Sequence, residues 1–106
     1  MAKYLIQASY SPAGAKGVLK EGGTKRKEQL SQILEPLGGR ADAFYYAFGE
    51  WDVIGIIDVP DTTTVLALSM TINASGAVNL RTTPLIAPEE IDKAAKKSVT
   101  YRAPGA

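Results

Sequence analysis

Hydrophobic periodicity along the chain switches repeatedly between that of a strand and that of a helix, and the switches give the order of the elements. KYLIQASY (3–10) is rich in strand-formers and closes at Ser11-Pro12, which predicts a first strand. AGAKGVLKEGG (13–23) is small and glycine-rich and reads as a loop with a short helical turn. Leu30, Ile33, Leu34 and Leu37 then fall at i, i+3, i+4 and i+7, one face of a helix over 24–39. Gly38-Gly39 ends that helix through a left-handed C-cap, and Pro36 weakens its last turn. RADAFYYAF (40–48) and DVIGIIDV (52–59) are two strands joined by Gly49-Glu50-Trp51, a hairpin. Pro60-Asp61 opens a second helix through TTTVLALSMTINAS, stopped by Gly76; its three threonines make a poor first turn. AVNLRTTPLI (77–86) is the fourth strand, with Pro84 at a sheet edge or beyond the ladder. PEEIDKAAKKS (88–98) is a terminal helix whose Glu89 and Glu90 lie at its start and Lys93, Lys96 and Lys97 near its end, as the helix dipole favours. The tail VTYRAPGA is expected to be extended.

The order β-α-β-β-α-β plus a terminal helix predicts an α+β, ferredoxin-like domain. Right-handed crossovers put both main helices on one face of a four-stranded antiparallel sheet. The other face is then too apolar to stay wet. In the third strand Val53, Gly55, Ile57 and Val59 point one way and Ile54 and Ile56 the other; Phe44, Tyr46 and Phe48 lie opposite Ala43, Tyr45 and Ala47 in the second. The simplest cover is the same face of a second copy, giving a dimeric α/β barrel. A monomer covered by its own terminal helix or tail is the alternative. Val65, Leu66, Leu68, Met70 and Ile72 spread apolar side chains round most of the second helix, which suits contacts beyond a dimer.

Composition narrows the functions available. The 106 residues suit one domain, 1–106, and 45% apolar against 22% charged residues make it globular. A net charge of +1 gives no field that would select nucleic acid or a membrane as partner. The chain has neither cysteine nor histidine, which removes thiolate chemistry, the usual general base and the usual metal and haem ligands; no cofactor is expected. No stretch is apolar for long enough to cross a bilayer, and the N-terminus lacks a signal-peptide core, so the expected location is cytoplasmic.

Five groups of residues are candidates for chemistry or binding. Asp52 stands beside Trp51 at a strand entrance, as a general base at a cavity mouth with an apolar wall, or as a turn residue accepting backbone N–H groups. Asp58 shares a face with Ile54 and Ile56, so a carboxylate there needs a partner; Arg81, Gln7 and Asn79 are the candidates, unless it meets water at a frayed strand end. Tyr10, Tyr45, Tyr46 and Phe48 suit either an aromatic pocket for a flat hydrophobic ligand or plain packing. Lys25, Arg26 and Lys27 oppose the dipole at a helix start beside Gly22-Gly23, an arrangement that an anionic ligand would relieve. Arg81 is an anion anchor if it is buried without a carboxylate.

The segments YLIQASYSPAGAKGVLKEGG, LGGRADAFYYAFGEWDVIGIIDVPD and SGAVNLRTTPLIAPEEIDKAAKKSVTYRAPGA together resemble the GYD-domain family over nearly the whole chain. The naming motif falls on Gly49-Glu50-Trp51-Asp52, with Trp51 where tyrosine is more usual, so no phenolic hydroxyl is offered there. The resemblance implies the dimeric ferredoxin-like fold and lends no mechanism. The expected role is a small self-associating module that binds a small hydrophobic or anionic ligand, with Tyr46, Trp51, Arg81, Lys25 and Arg26 as binding residues. Two alternatives stand beside it. One is a cofactor-independent, monooxygenase- or isomerase-like enzyme using Asp52 or Asp58 as acid and base on a small hydrophobic or carbonyl compound. The other is a unit of structural assembly.

Overall fold

The computed structural model describes residues 2–47 and 49–106. Four strands, β1 (Ala2–Tyr10), β2 (Arg40–Tyr46), β3 (Val53–Val59) and β4 (Val78–Leu85), form one antiparallel sheet in the order β2-β3-β1-β4. This is the ferredoxin-like α+β arrangement. β4 lies at an edge, where Pro84 opposite Tyr4 removes no ladder bond that a central strand would need. The predicted end of the second strand, Phe48, lies outside the described residues.

Four helices accompany the sheet: α1 (Pro12–Glu21), α2 (Gly23–Leu34), α3 (Thr62–Ala74) and α4 (Pro88–Ala95). The first corrects the loop expected over 13–23. Ser11 is its N-cap, its hydroxyl accepting from the Gly14 N–H at 3.1 Å, and Pro12 occupies the first turn, where no N–H is missed. Gly22, at φ +86°, separates α1 from α2. A 3₁₀ turn, Glu35–Leu37, follows α2 through Pro36, and Gly38 at φ +76° ends it in the left-handed region, as its sequence requires. In α3 the threonines are helical because Asp61 caps them: its Oδ1 accepts the Thr64 N–H and hydroxyl, each at 2.8 Å.

The strand register sorts side chains cleanly onto two faces. Tyr4, Ile6 and Ala8 of β1, Val53, Ile57 and Val59 of β3 and Leu80 of β4 are buried under the helices with Leu34, Val65 and Leu68, forming the core. The opposite face carries Leu5 across from Ile56 and Gln7 across from Ile54, with Tyr45 beside Ile54 on β2. Tyr45 there is 71% exposed and Ile54 37%. The terminal helix leaves this face open, and every residue of α4 is itself exposed. On α3 the surplus apolar residues Leu66 and Met70 also point outward. Among the described residues no helix is long and apolar enough to cross a membrane.

Candidate functional site

Each candidate side chain is placed by the strand that carries it. At one end of the open face β2 is bulged between Ala41 and Ala43, which sets Asp42 out of register and turns it toward the neighbouring strands. Lys3 stands opposite Asp58 in the β1–β3 pair, and Arg40 stands opposite it in the β2–β3 pair. The four side chains form a closed ion cluster. Asp58 Oδ2 accepts from Lys3 Nζ at 3.1 Å and from Arg40 Nη2 at 3.2 Å, while Asp42 accepts from Lys3 and from Arg40 Nε. The Lys3 ammonium, and after it the Arg40 guanidinium, hold the Asp42 carboxyl below the usual carboxylate range. Asp58 is almost wholly buried, and among the described residues its Oδ1 has no hydrogen-bond partner. A buried carboxylate oxygen in that position still has room for one donor.

Asp58 therefore has the partners its burial demands, but they are Lys3 and Arg40 rather than Arg81, Gln7 or Asn79. Periodicity alone gives each strand its faces. It cannot give the pairing register that sets Lys3 and Arg40 on either side of Asp58. The only sequence signal was the pair of cations at the starts of two neighbouring strands.

Asp52 lies at the far end of β3, six extended residues or about 20 Å from Asp58, so the two carboxylates do not form an acid–base pair. Its Oδ2 accepts the Tyr10 N–H at 2.8 Å, its own N–H donates to the Ala8 carbonyl and its carbonyl accepts from Ala47. The first two bonds fasten the hairpin end to β1, and the third closes the hairpin between β2 and β3. Arg81, opposite Gln7, faces the open side of β4 and lies over the Trp51 ring at 5.3 Å, a cation–π contact. Among the described residues no carboxylate lies within salt-bridge reach of Arg81.

Tyr46 points the other way, to the helix side, where it stays partly exposed at the sheet edge, so it shares no cavity with Asp58 and Arg81. Its hydroxyl donates to the Gly23 carbonyl at 3.0 Å and pins the start of α2, while Phe44 meets it edge-on at 5.4 Å. Burial, with Tyr10 adding to it, pushes the Tyr46 phenol above its ordinary range, and Arg26 pulls in the opposite direction. Arg26 is half-buried and donates to Gln29 Oε1 at 2.6 Å; Lys25 and Lys27 beside it are exposed. The basic helix start thus divides into one inward guanidinium and two solvated ammonium groups. Among the described residues no group of three or more acidic side chains is arranged to hold a metal.

The sheet order, the crossover helices and the single open face define an α+β domain of the ferredoxin-like class. Within that class the assignment is specific: the family model of the GYD domain matches residues 4–95, and the chain belongs to the GYD domain family. The Gly49-Glu50-Trp51-Asp52 turn lies inside the matched span. No curated relative and no solved structure matches the chain.

Proposed function

We propose that this GYD-domain protein is a self-associating binding module whose open sheet face is covered by a second copy of the same chain. The observation that carries the reading is the apolar band of the exposed Tyr45 and Ile54 and the half-buried Ile56 and Leu5 between two polar ends. One end holds the exposed Arg81, with no carboxylate in salt-bridge reach among the described residues, and the other the charge-balanced cluster of Lys3, Arg40, Asp42 and Asp58. A two-fold axis lying between two stacked sheets would set the apolar band of one copy over that of the other. Burying the apolar side chains between them contributes about 1.5–3 kcal/mol for each large one fully covered.

Sedimentation equilibrium of the dilute protein tests the reading and is expected to give at least the mass of two chains. Ile54→Asp, at a position already partly exposed, should leave far-UV circular dichroism unchanged and bring the mass down to one chain. A parent protein that sediments as a monomer would overturn the proposal.

A further inference from the structure

The helix-covered side of the sheet is not completely filled. Between α2 and α3 an apolar cleft of about 100 Å³ reaches down to the sheet. Ile6, Phe44 and Val53 form its floor, Leu30 and Ile33 of α2 one wall and Ile72 of α3 the other. Three polar side chains reach it, Tyr10, Arg26 and Gln29. A second void of about 190 Å³, under α1, adjoins it across Tyr10, Arg26 and Val78. Arg26 thus stands between two spaces. Among the described residues it has no carboxylate within salt-bridge reach and bonds only to the neutral Gln29.

We infer that this cleft binds a small apolar monocarboxylate, its carboxylate on the Arg26 guanidinium and its body, about one ring in size, against Ile6, Phe44 and Val53. The inference deepens the binding-module reading by assigning its ligand class and a site away from the self-association face. Size fits first: an apolar cavity of roughly 150 Å³ takes a benzene ring, and this cleft is somewhat smaller but opens to solvent beside the exposed Ile33. Charge fits next. A half-buried guanidinium facing apolar walls gains most from a planar anion that accepts two parallel N–H bonds, and Gln29 leaves part of its fork free. A neutral ligand would leave the guanidinium to water and to Glu21, which lines the adjoining void, and a dianion would bring more charge than one arginine balances.

The test is a titration of phenylacetate, and of its neutral counterpart 2-phenylethanol, into methyl-labelled protein followed by NMR. Phenylacetate should shift the methyl signals of Leu30, Ile33, Ile72 and Val78 saturably, while Leu5, Ile54 and Ile56 on the open face stay still. Replacing Arg26 by Gln, or the acid by the alcohol, should weaken binding about tenfold or more, the value of a charge-assisted bond. Lys20→Gln, which removes an exposed charge in the last turn of α1 outside the cleft, should leave the affinity as it was, and Ile33→Trp should block the site while the fold persists. Absence of saturable shifts in the cleft, equal affinity for acid and alcohol, or an equal loss in Lys20→Gln would each overturn the inference. None of these outcomes touches the sedimentation result, so the site and the self-association stand or fall separately.

Discussion

Gly14 shows how one residue can hide a helix from a sequence reading and still be required by it. A Cβ at that position would lie 2.2 Å from the carbonyl oxygen of Ala77 and 3.3 Å from the Tyr10 ring. The same oxygen accepts the Ser11 N–H at 3.0 Å, so it cannot withdraw without breaking the bond that anchors the start of α1. Gly17, one turn later on the same helix, has nothing within 4 Å of such a Cβ. The two glycines therefore make a matched pair. Gly14→Ala should destabilise the protein by about 1–3 kcal/mol through overpacking, despite alanine's better helix propensity. Gly17→Ala should stabilise it by about 0.5–1 kcal/mol. Urea denaturation of both variants checks the pair, and a stabilised Gly14→Ala would show that α1 does not sit this close to Ala77. Composition alone made both residues look like loop material; the Ser11-Pro12 start signal carried the helix, and it is a local rule that the glycine content obscured.

At the scale of elements, the strands were legible because alternation survives without tertiary knowledge: the face assignments of β1 and β3 follow from period two alone. Pairing register was not legible, and with it went the partners of Asp58 and the separation of Tyr46 from Arg81. α3 is the instructive helix. Its opening threonines argue against helix by propensity, and Asp61 overrides them by accepting both the N–H and the hydroxyl of Thr64. The Thr64 N–H, followed by its hydroxyl, lowers the Asp61 carboxyl below its ordinary range. A group depressed in the folded state contributes stability above its unfolded value, and that contribution is lost as the pH falls through the folded one. Asp61→Ala should therefore melt lower than the parent at neutral pH, and the gap should close in acid below the ordinary aspartate range. Asp61→Asn, which keeps the acceptor but cannot ionise, should melt closer to the parent at neutral pH. Thermal melts across that range decide it. A gap that stays constant into acid would mean the cap acts through something other than the ionised carboxylate.

The whole molecule is longer than its core requires. Its radius of gyration is 17.2 Å and its longest extent 57 Å, whereas a compact chain of this length would have a radius near 13 Å. The excess lies with the C-terminal arm. Residues 85–106 are exposed throughout, including Ile86, Ile91, Val99 and Tyr101, which are between 59% and 80% exposed. Ala87, Ile91, Ala94 and Ala95 recur at helical spacing on α4, an apolar stripe that among the described residues faces only an open hollow shared with Lys3 and Leu85. On the proposed self-association, interface area would give such an arm a role. Four strands averaging about eight residues present a face of roughly 19 by 26 Å, or about 500 Å² in outline, while a stable interface takes about 800 Å² of accessible surface from each partner. The sheet face alone falls short, and an arm laid across the second copy would make up the difference. A chain ending at Ile86 keeps every strand, the helices α1, α2 and α3 and the whole buried core, so it should fold with unchanged sheet content. It should nevertheless dissociate at a protein concentration at least about tenfold higher than the full chain does, a change that corresponds to roughly 1.4 kcal/mol. Sedimentation of the two forms side by side reads this directly. Equal dissociation concentrations would confine the contact to the sheet and leave the stripe on α4 for a different partner. Weakened association with intact folding would make the arm part of the interface, linking the two apolar features that the lone chain leaves uncovered.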